Sequence, residues 1–169
     1  RHITRAEQDA LIRKIREAVP GICIRTTLLV GHPGETEEDF EALKDWVREM
    51  RFDRMGAFAY SDEEGTYANL HYTDDIPQAV KEQRVAEIMA IQQEISRELE
   101  EKKVGTVEKV VIDREEGDYY IGRTQYDSPE VDCEVLIEKQ APLVIGQFYP
   151  VRITRAEEFD LYGDVQQTL

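Results

Sequence analysis

The chain has 169 residues, 41% of them hydrophobic and 34% charged, and a formal net charge of −15. That is enough for one sizeable core or two small ones in a globular protein, and no run approaches the ~20 apolar residues of a membrane span. So acidic a surface repels a phosphate backbone, whose binding rests on Lys and Arg, and attracts a basic protein.

The opening segment, RHITRAEQDALIRKIREAV, has no apolar signal core, so nothing in it points to export. Thr4 and Glu7 form a capping-box pattern. Apolar positions at Ala6, Leu11, Ile12, Ile15, Ala18 and Val19 give an amphipathic helix over 4–18, stopped by Pro20-Gly21. The chain starts in mid-pattern and is expected to be a piece of a longer protein.

Residues 22–30 are a short apolar, β-branched run, the pattern of a strand covered on both faces. Thr36 and Asp39 then cap a helix whose stripe is Phe40, Leu43, Trp46, Val47 and Met50. A second strand is expected over 54–60, a polar loop over 61–75, and a long helix from about Pro77 to Lys103. Its apolar face is Val85, Ile88, Met89, Ile91, Gln92, Ile95 and Leu99. Alternating strands and helices imply parallel strands with helical crossovers, in an α/β sheet or part of a barrel. Two strands are too few for a complete parallel sheet.

The texture changes after residue 104. TVEKVVID, YYIGRTQ, VDCEVLIE, LVIGQFYPVRITRA and FDLYGDV are short alternating segments parted by Gly, Pro and Asp. They predict about five strands in a small OB-like barrel. Residues 104–169 carry six basic and fourteen acidic residues, a charge of −8 that leaves −7 for residues 1–103.

Ligands of parallel α/β folds bind at the carboxyl ends of the strands. Gly31-His32-Pro33-Gly34 is such a strand end, with helix-start amides beside it for a negative group. It has neither a following Lys-Ser/Thr nor a G-x-G-x-x-G pattern, and ligand contact and a plain strand-to-helix turn both remain open. Tyr60, Ser61 and the acids Asp62, Glu63 and Glu64 end the second strand on the same side. Cys23 and Cys133 lie far apart without a Cys or His at metal-ligand spacing, and Cys23 is expected as a buried free thiol. This chain alone lacks the thiolates for an iron–sulfur cluster. His2, His32 and His71 form no ligand pattern, so no metal site is assigned.

Four segments, TTLLVGHPGETEEDFEAL, FDRMGAFAYSDEEGT, DDIPQAVKEQR and GRTQYDSPEVDCEV, together resemble the radical-SAM methylthiotransferases, in order and spacing and over nearly the whole chain. The fourth looks like the branch that modifies a ribosomal protein; Cys133 departs from the Gly usual there. The resemblance implies the C-terminal portion of a radical-SAM partial (β/α) barrel over 1–103 and a small OB-like β-barrel, the TRAM domain, over 104–169.

It further implies S-adenosylmethionine as cofactor and two [4Fe-4S] clusters in the full-length enzyme, with ligands outside this chain, so that the piece alone is inactive. The implied reaction adds a methylthio group to the β-carbon of an aspartate in small-subunit ribosomal protein twelve. Candidate cofactor-binding residues are Arg25, Thr27, Val30, Gly31, Phe58, Tyr60 and Ser61. Asp127, Glu130 and Asp132 are the candidate docking residues, with the TRAM domain recognising the substrate. The expected partners are that basic ribosomal protein and ribosome assembly factors, in the cytoplasm. RNA binding is not expected of so acidic a barrel. The alternatives are the sister branch, which modifies a transfer-RNA adenosine, and a non-catalytic OB-like protein-binding module.

Overall fold

The computed structural model describes residues 3–129, 131–157 and 160–166. The chain divides into two compact units, residues 1–95 and 96–169.

In the first unit, helix α1 (Arg5–Ala18) starts at Thr4, whose hydroxyl accepts from the Glu7 amide while Glu7 accepts the Thr4 amide at 2.7 Å. Strands β1 (Arg25–Val30) and β2 (Arg54–Ala59) pair in parallel, from Arg25 opposite Arg54 to Val30 opposite Ala59. Helix α2 (Glu37–Met50) crosses between them, with Thr36 and Asp39 closing a second capping box. It buries Phe40, Val47 and Met50. Its C-terminal carbonyls, Met50 O and Arg51 O, accept from the Arg16 guanidinium at 2.6 and 3.0 Å. A cation there complements the negative end of the helix dipole. Trp46 packs on Phe52 and donates its indole N–H to Asp9 at 2.6 Å.

Three features depart from expectation. The strand at 25–30 is covered on one face only: Leu29 is 51% exposed, and its in-register neighbour Phe58 is 63% exposed. The loop over 61–75 contains a short helix, α3 (Tyr67–His71), capped by Thr66. The long helix α4 (Gln78–Glu101) buries Lys81, Arg84, Ile88, Gln92 and Ile95, while Met89 is exposed. These five positions share one helical face at three- and four-residue spacing, and three of them are polar.

In the second unit five strands close a barrel in the order β3-β4-β5-β7-β6. They are β3 (Val107–Glu116), β4 (Tyr119–Thr124), β5 (Glu134–Glu138), β6 (Phe148–Ala156) and β7 (Asp160–Val165). Pairing is antiparallel except between β5 and β7. Alternate residues point inward, so Val110 and Ile112, Val135 and Ile137, and Val151 and Ile153 form the core with Tyr120 and Leu161. At Gly122 the Val111 backbone approaches so closely that a Cβ would overlap its carbonyl oxygen. No helix among the described residues is long and apolar enough to cross a membrane.

Candidate functional site

The two parallel strands end side by side, with Val30 O accepting from the Tyr60 amide at 2.8 Å. Side chains alternate across a sheet, and this sorts the candidate residues. Arg25 and Thr27 are exposed and share a face with Leu29 and Phe58. Val30 is fully buried and Tyr60 only 7% exposed. Val30, next to Leu29 in the strand, turns to the opposite face, and Tyr60, just past β2, packs against His32 and the Lys81 ammonium. Ser61 is exposed, and its hydroxyl donates to Glu63 at 2.8 Å.

Gly31 has φ +75°, and a Cβ there would sit 2.5 Å from Lys81 Cγ. The close approach that demands glycine here is that of α4. The turn's amides are also engaged. Gly31 N–H donates to Glu35 at 3.0 Å, Gly34 N–H to Asp75 at 3.2 Å and Thr36 N–H to Asp39 at 3.0 Å. Three donors of the turn are thus met by the protein's own carboxylates, and the Glu35 amide by the His32 carbonyl at 2.9 Å.

Two buried cations, which the sequence reading missed, hold this connection. Lys81 is 2% exposed; its ammonium bonds Asp74 at 2.5 Å and the Tyr60 carbonyl at 3.5 Å. Arg84 is 6% exposed and bonds Glu35 at 2.7 Å and Glu37 at 3.2 Å. Burying a charge is costly unless it is paired and hydrogen-bonded, which both are. Their spacing along α4 was the available signal: Lys81 and Arg84 continue the run of Ile88, Gln92 and Ile95. Burial, the hydrogen bond to Asp62 and the charges of Asp62, Asp74 and Glu63 push the Tyr60 phenol above its usual range.

In the barrel, the segment proposed for docking closes on itself. Asp127 is 6% exposed and accepts the Thr124 hydroxyl. It is held inside its own loop as a structural carboxylate. Asp132 is half-buried and accepts the Ser128 amide at 2.7 Å. Glu130 lies outside the described residues. Ser128 and Asp132 line a small cavity of about 220 Å³ with Arg114, Arg123 and Glu134. Arg114 is held by Glu134 and Glu116, and Arg123 by Asp113. Cys23 and Cys133 are half-buried and are not joined in a disulfide. Among the described residues no three of His, Cys, Asp and Glu converge to hold a metal ion.

The fold and this site define a class: parallel α/β structure with an open face at its strand ends, together with a closed five-stranded barrel. Residues 104–165 match the TRAM domain. Over 98% of its length the chain is similar to ribosomal protein uS12 methylthiotransferases RimO. It is 62% identical to that of Phocaeicola vulgatus over 166 residues, 60% to that of Bacteroides fragilis and 54% to that of Porphyromonas gingivalis. The chain spans 38% of the length of these relatives.

Proposed function

We propose that the chain is the C-terminal portion of a radical-SAM methylthiotransferase. In this reading the enzyme places a methylthio group on the β-carbon of an aspartate of the small-subunit ribosomal protein uS12. Residues 1–103 supply the last part of its partial barrel and residues 104–169 its TRAM domain, which recognises the protein substrate. The enzyme works in the cytoplasm. The observation that carries this reading is 62% identity over 98% of the chain to a RimO methylthiotransferase, joined to an open face on β1 and β2.

S-adenosylmethionine suits that face. Leu29 and Phe58 lie adjacent and exposed, an apolar surface of the kind on which a flat heterocycle packs. Thr27 offers a hydroxyl and Arg25 a guanidinium on the same face for the polar part of the molecule. Bound there, one molecule would supply the radical once a cluster gives it an electron, and a second molecule would supply the methyl group. Lys81 and Arg84 keep the strand-end loops in place, and the apolar pair excludes water from the bound group. The chain's own donors do not fit an iron–sulfur cluster, since it holds only two cysteines. In this reading both clusters take their ligands from outside it.

The test uses the full-length protein, reconstituted without oxygen and given S-adenosylmethionine, uS12 and transfer RNA. Mass spectrometry is expected to find the methylthio group on an aspartate of uS12. A methylthio group on a transfer-RNA adenosine, with uS12 unchanged, overturns the reading.

A further inference from the structure

The loop that follows β2 carries an aromatic surface that cofactor binding leaves unused. Tyr67, Leu70 and Tyr72 are 67%, 68% and 51% exposed. The rings form a continuous run: His71 stacks on Tyr67 at 4.0 Å, Tyr67 meets Tyr72 at 6.1 Å, Tyr72 meets His32 at 5.7 Å, and His32 meets the buried Tyr60 at 5.2 Å. The exposed rings are thereby tied, through His32 and Tyr60, to the ends of both strands. A contiguous run of large apolar groups left bare marks a contact surface.

The charge around it selects the occupant. Residues 61–75 hold Asp62, Glu63, Glu64, Asp74 and Asp75 and no Lys or Arg. Among the described residues, Asp74 alone of the five pairs with a cation, through Lys81. The others are bound by neutral donors where they are bound at all: Asp62 by Tyr60 and Asn69, Glu63 by Ser61, Asp75 by the Gly34 amide. Their charge stays uncompensated around the rings.

We infer that this face docks a basic segment of a polypeptide, with Arg or Lys heads between the carboxylates and the faces of Tyr67 and Tyr72 and their aliphatic stems on Leu70. Cation–π contact and carboxylate pairing act on the same head groups, and the stems of long basic side chains cover apolar surface. A nucleic acid brings phosphates against the acids, and a second copy of the chain brings another −15; both are repelled. The inference rests on the reading of a basic ribosomal protein as substrate and adds a contact at the strand ends to the one proposed for the TRAM domain.

The experiment uses the full-length protein and two variants at exposed positions, Glu64→Lys and the double variant Tyr67→Ser/Leu70→Ser. The probes are a fluorescent Arg- and Lys-rich peptide of the ribosomal protein and a single-stranded oligonucleotide of equal length. The peptide is expected to bind the unaltered protein, about tenfold more weakly in each variant, and to release as salt screens the charges. Glu64→Gln, expected to give a smaller loss, replaces Glu64→Lys if the latter lowers the thermal midpoint. Unchanged peptide affinity in the variants, or tighter binding of the oligonucleotide than of the peptide, overturns the inference. The two readings fail separately. Peptide binding through this loop without methylthiolation of uS12 sinks the proposed reaction alone. Methylthiolation with an unchanged KM for uS12 in both variants sinks the docking surface alone.

Discussion

Gly31→Ala tests the packing logic of the strand-end connection. Its φ of +75° costs an L-residue about 1–2 kcal/mol. The new Cβ also lies 2.5 Å from Lys81 Cγ and within 3.2 Å of Lys81 Cβ and Cδ. Those atoms are the root of the side chain, fixed to a helix, so they yield only if α4 moves. Displacing the 2% exposed Lys81 separates its ammonium from Asp74, and breaking a buried pair costs about 3–5 kcal/mol. With partial relaxation, Gly31→Ala is expected to lose about 3 kcal/mol or more. Gly34→Ala shares the backbone strain, at φ +82°, but meets nothing within 4 Å, and should lose about 1 kcal/mol. Urea unfolding followed by Trp46 fluorescence measures both. The protein has a single tryptophan, and its contacts with Phe52 and Asp9 make it a reporter of the first unit. Repeating Gly31→Ala in a Lys81→Ala background removes the obstructing stem, and about 1–2 kcal/mol of the loss should vanish as coupling. Equal losses for the two glycine variants, or an undiminished loss without the lysine stem, refute the reasoning.

Three further outcomes are expected. In the barrel, Gly122→Ala drives a Cβ against the Val111 carbonyl oxygen and to 2.6 Å from Val110 Cγ1; it should cost about 3 kcal/mol in chemical denaturation. Gly146→Ala, with nothing within 4 Å, is its comparator and should cost about 1 kcal/mol. Arg84→Met leaves the 14% exposed Glu35 without its cation and should lower stability by about 3 kcal/mol, while Arg84→Lys recovers only part because one ammonium cannot span Glu35 and Glu37. The hydrogen bond from Arg114 holds Glu134 below the usual carboxylate value of 4.5. Stability from that pair is therefore complete above this value and is lost as pH falls through the lower, folded one. Arg114 is 44% and Glu134 29% exposed, so solvent screening limits the effect to under ~1 kcal/mol. Glu134→Gln should flatten this acid limb, and acid titrations of the two proteins that run in parallel would count against it.

Local signals in the chain carry most of the fold. Thr4 with Glu7 and Thr36 with Asp39 mark helix starts because a capping box is written in four consecutive residues. The strands of the barrel show their inward residues by alternation. The site was less legible where a side chain's environment is set by distant residues. In the apolar run before Gly31 every position looks buried, so the run does not say that Val30 turns inward while Leu29 faces out. The face of α4 was misjudged because Lys81 and Arg84 look like solvent-exposed residues until Asp74, Glu35 and Glu37 are brought to them. Asp127 looked like surface charge although its partner Thr124 is only three residues away, because that spacing marks a bond in a sequence only where a helix start follows it. Helix α3 is too short to show a period.

The parallel pairing of β5 with β7 has a consequence for how the domain is made. Strands β3, β4 and β5 follow one another as hairpins and can pair as soon as they leave the ribosome. Strand β6 returns to β3 across the intervening segments, and only β7 joins β6 to β5. Until residues 160–165 have been synthesised, β5 and β6 each offer a bare row of amides and carbonyls to any neighbouring strand. A nascent chain stopped just short of Asp160 thus has two adhesive edges at once, and sealing the ring is the step that ends that exposure.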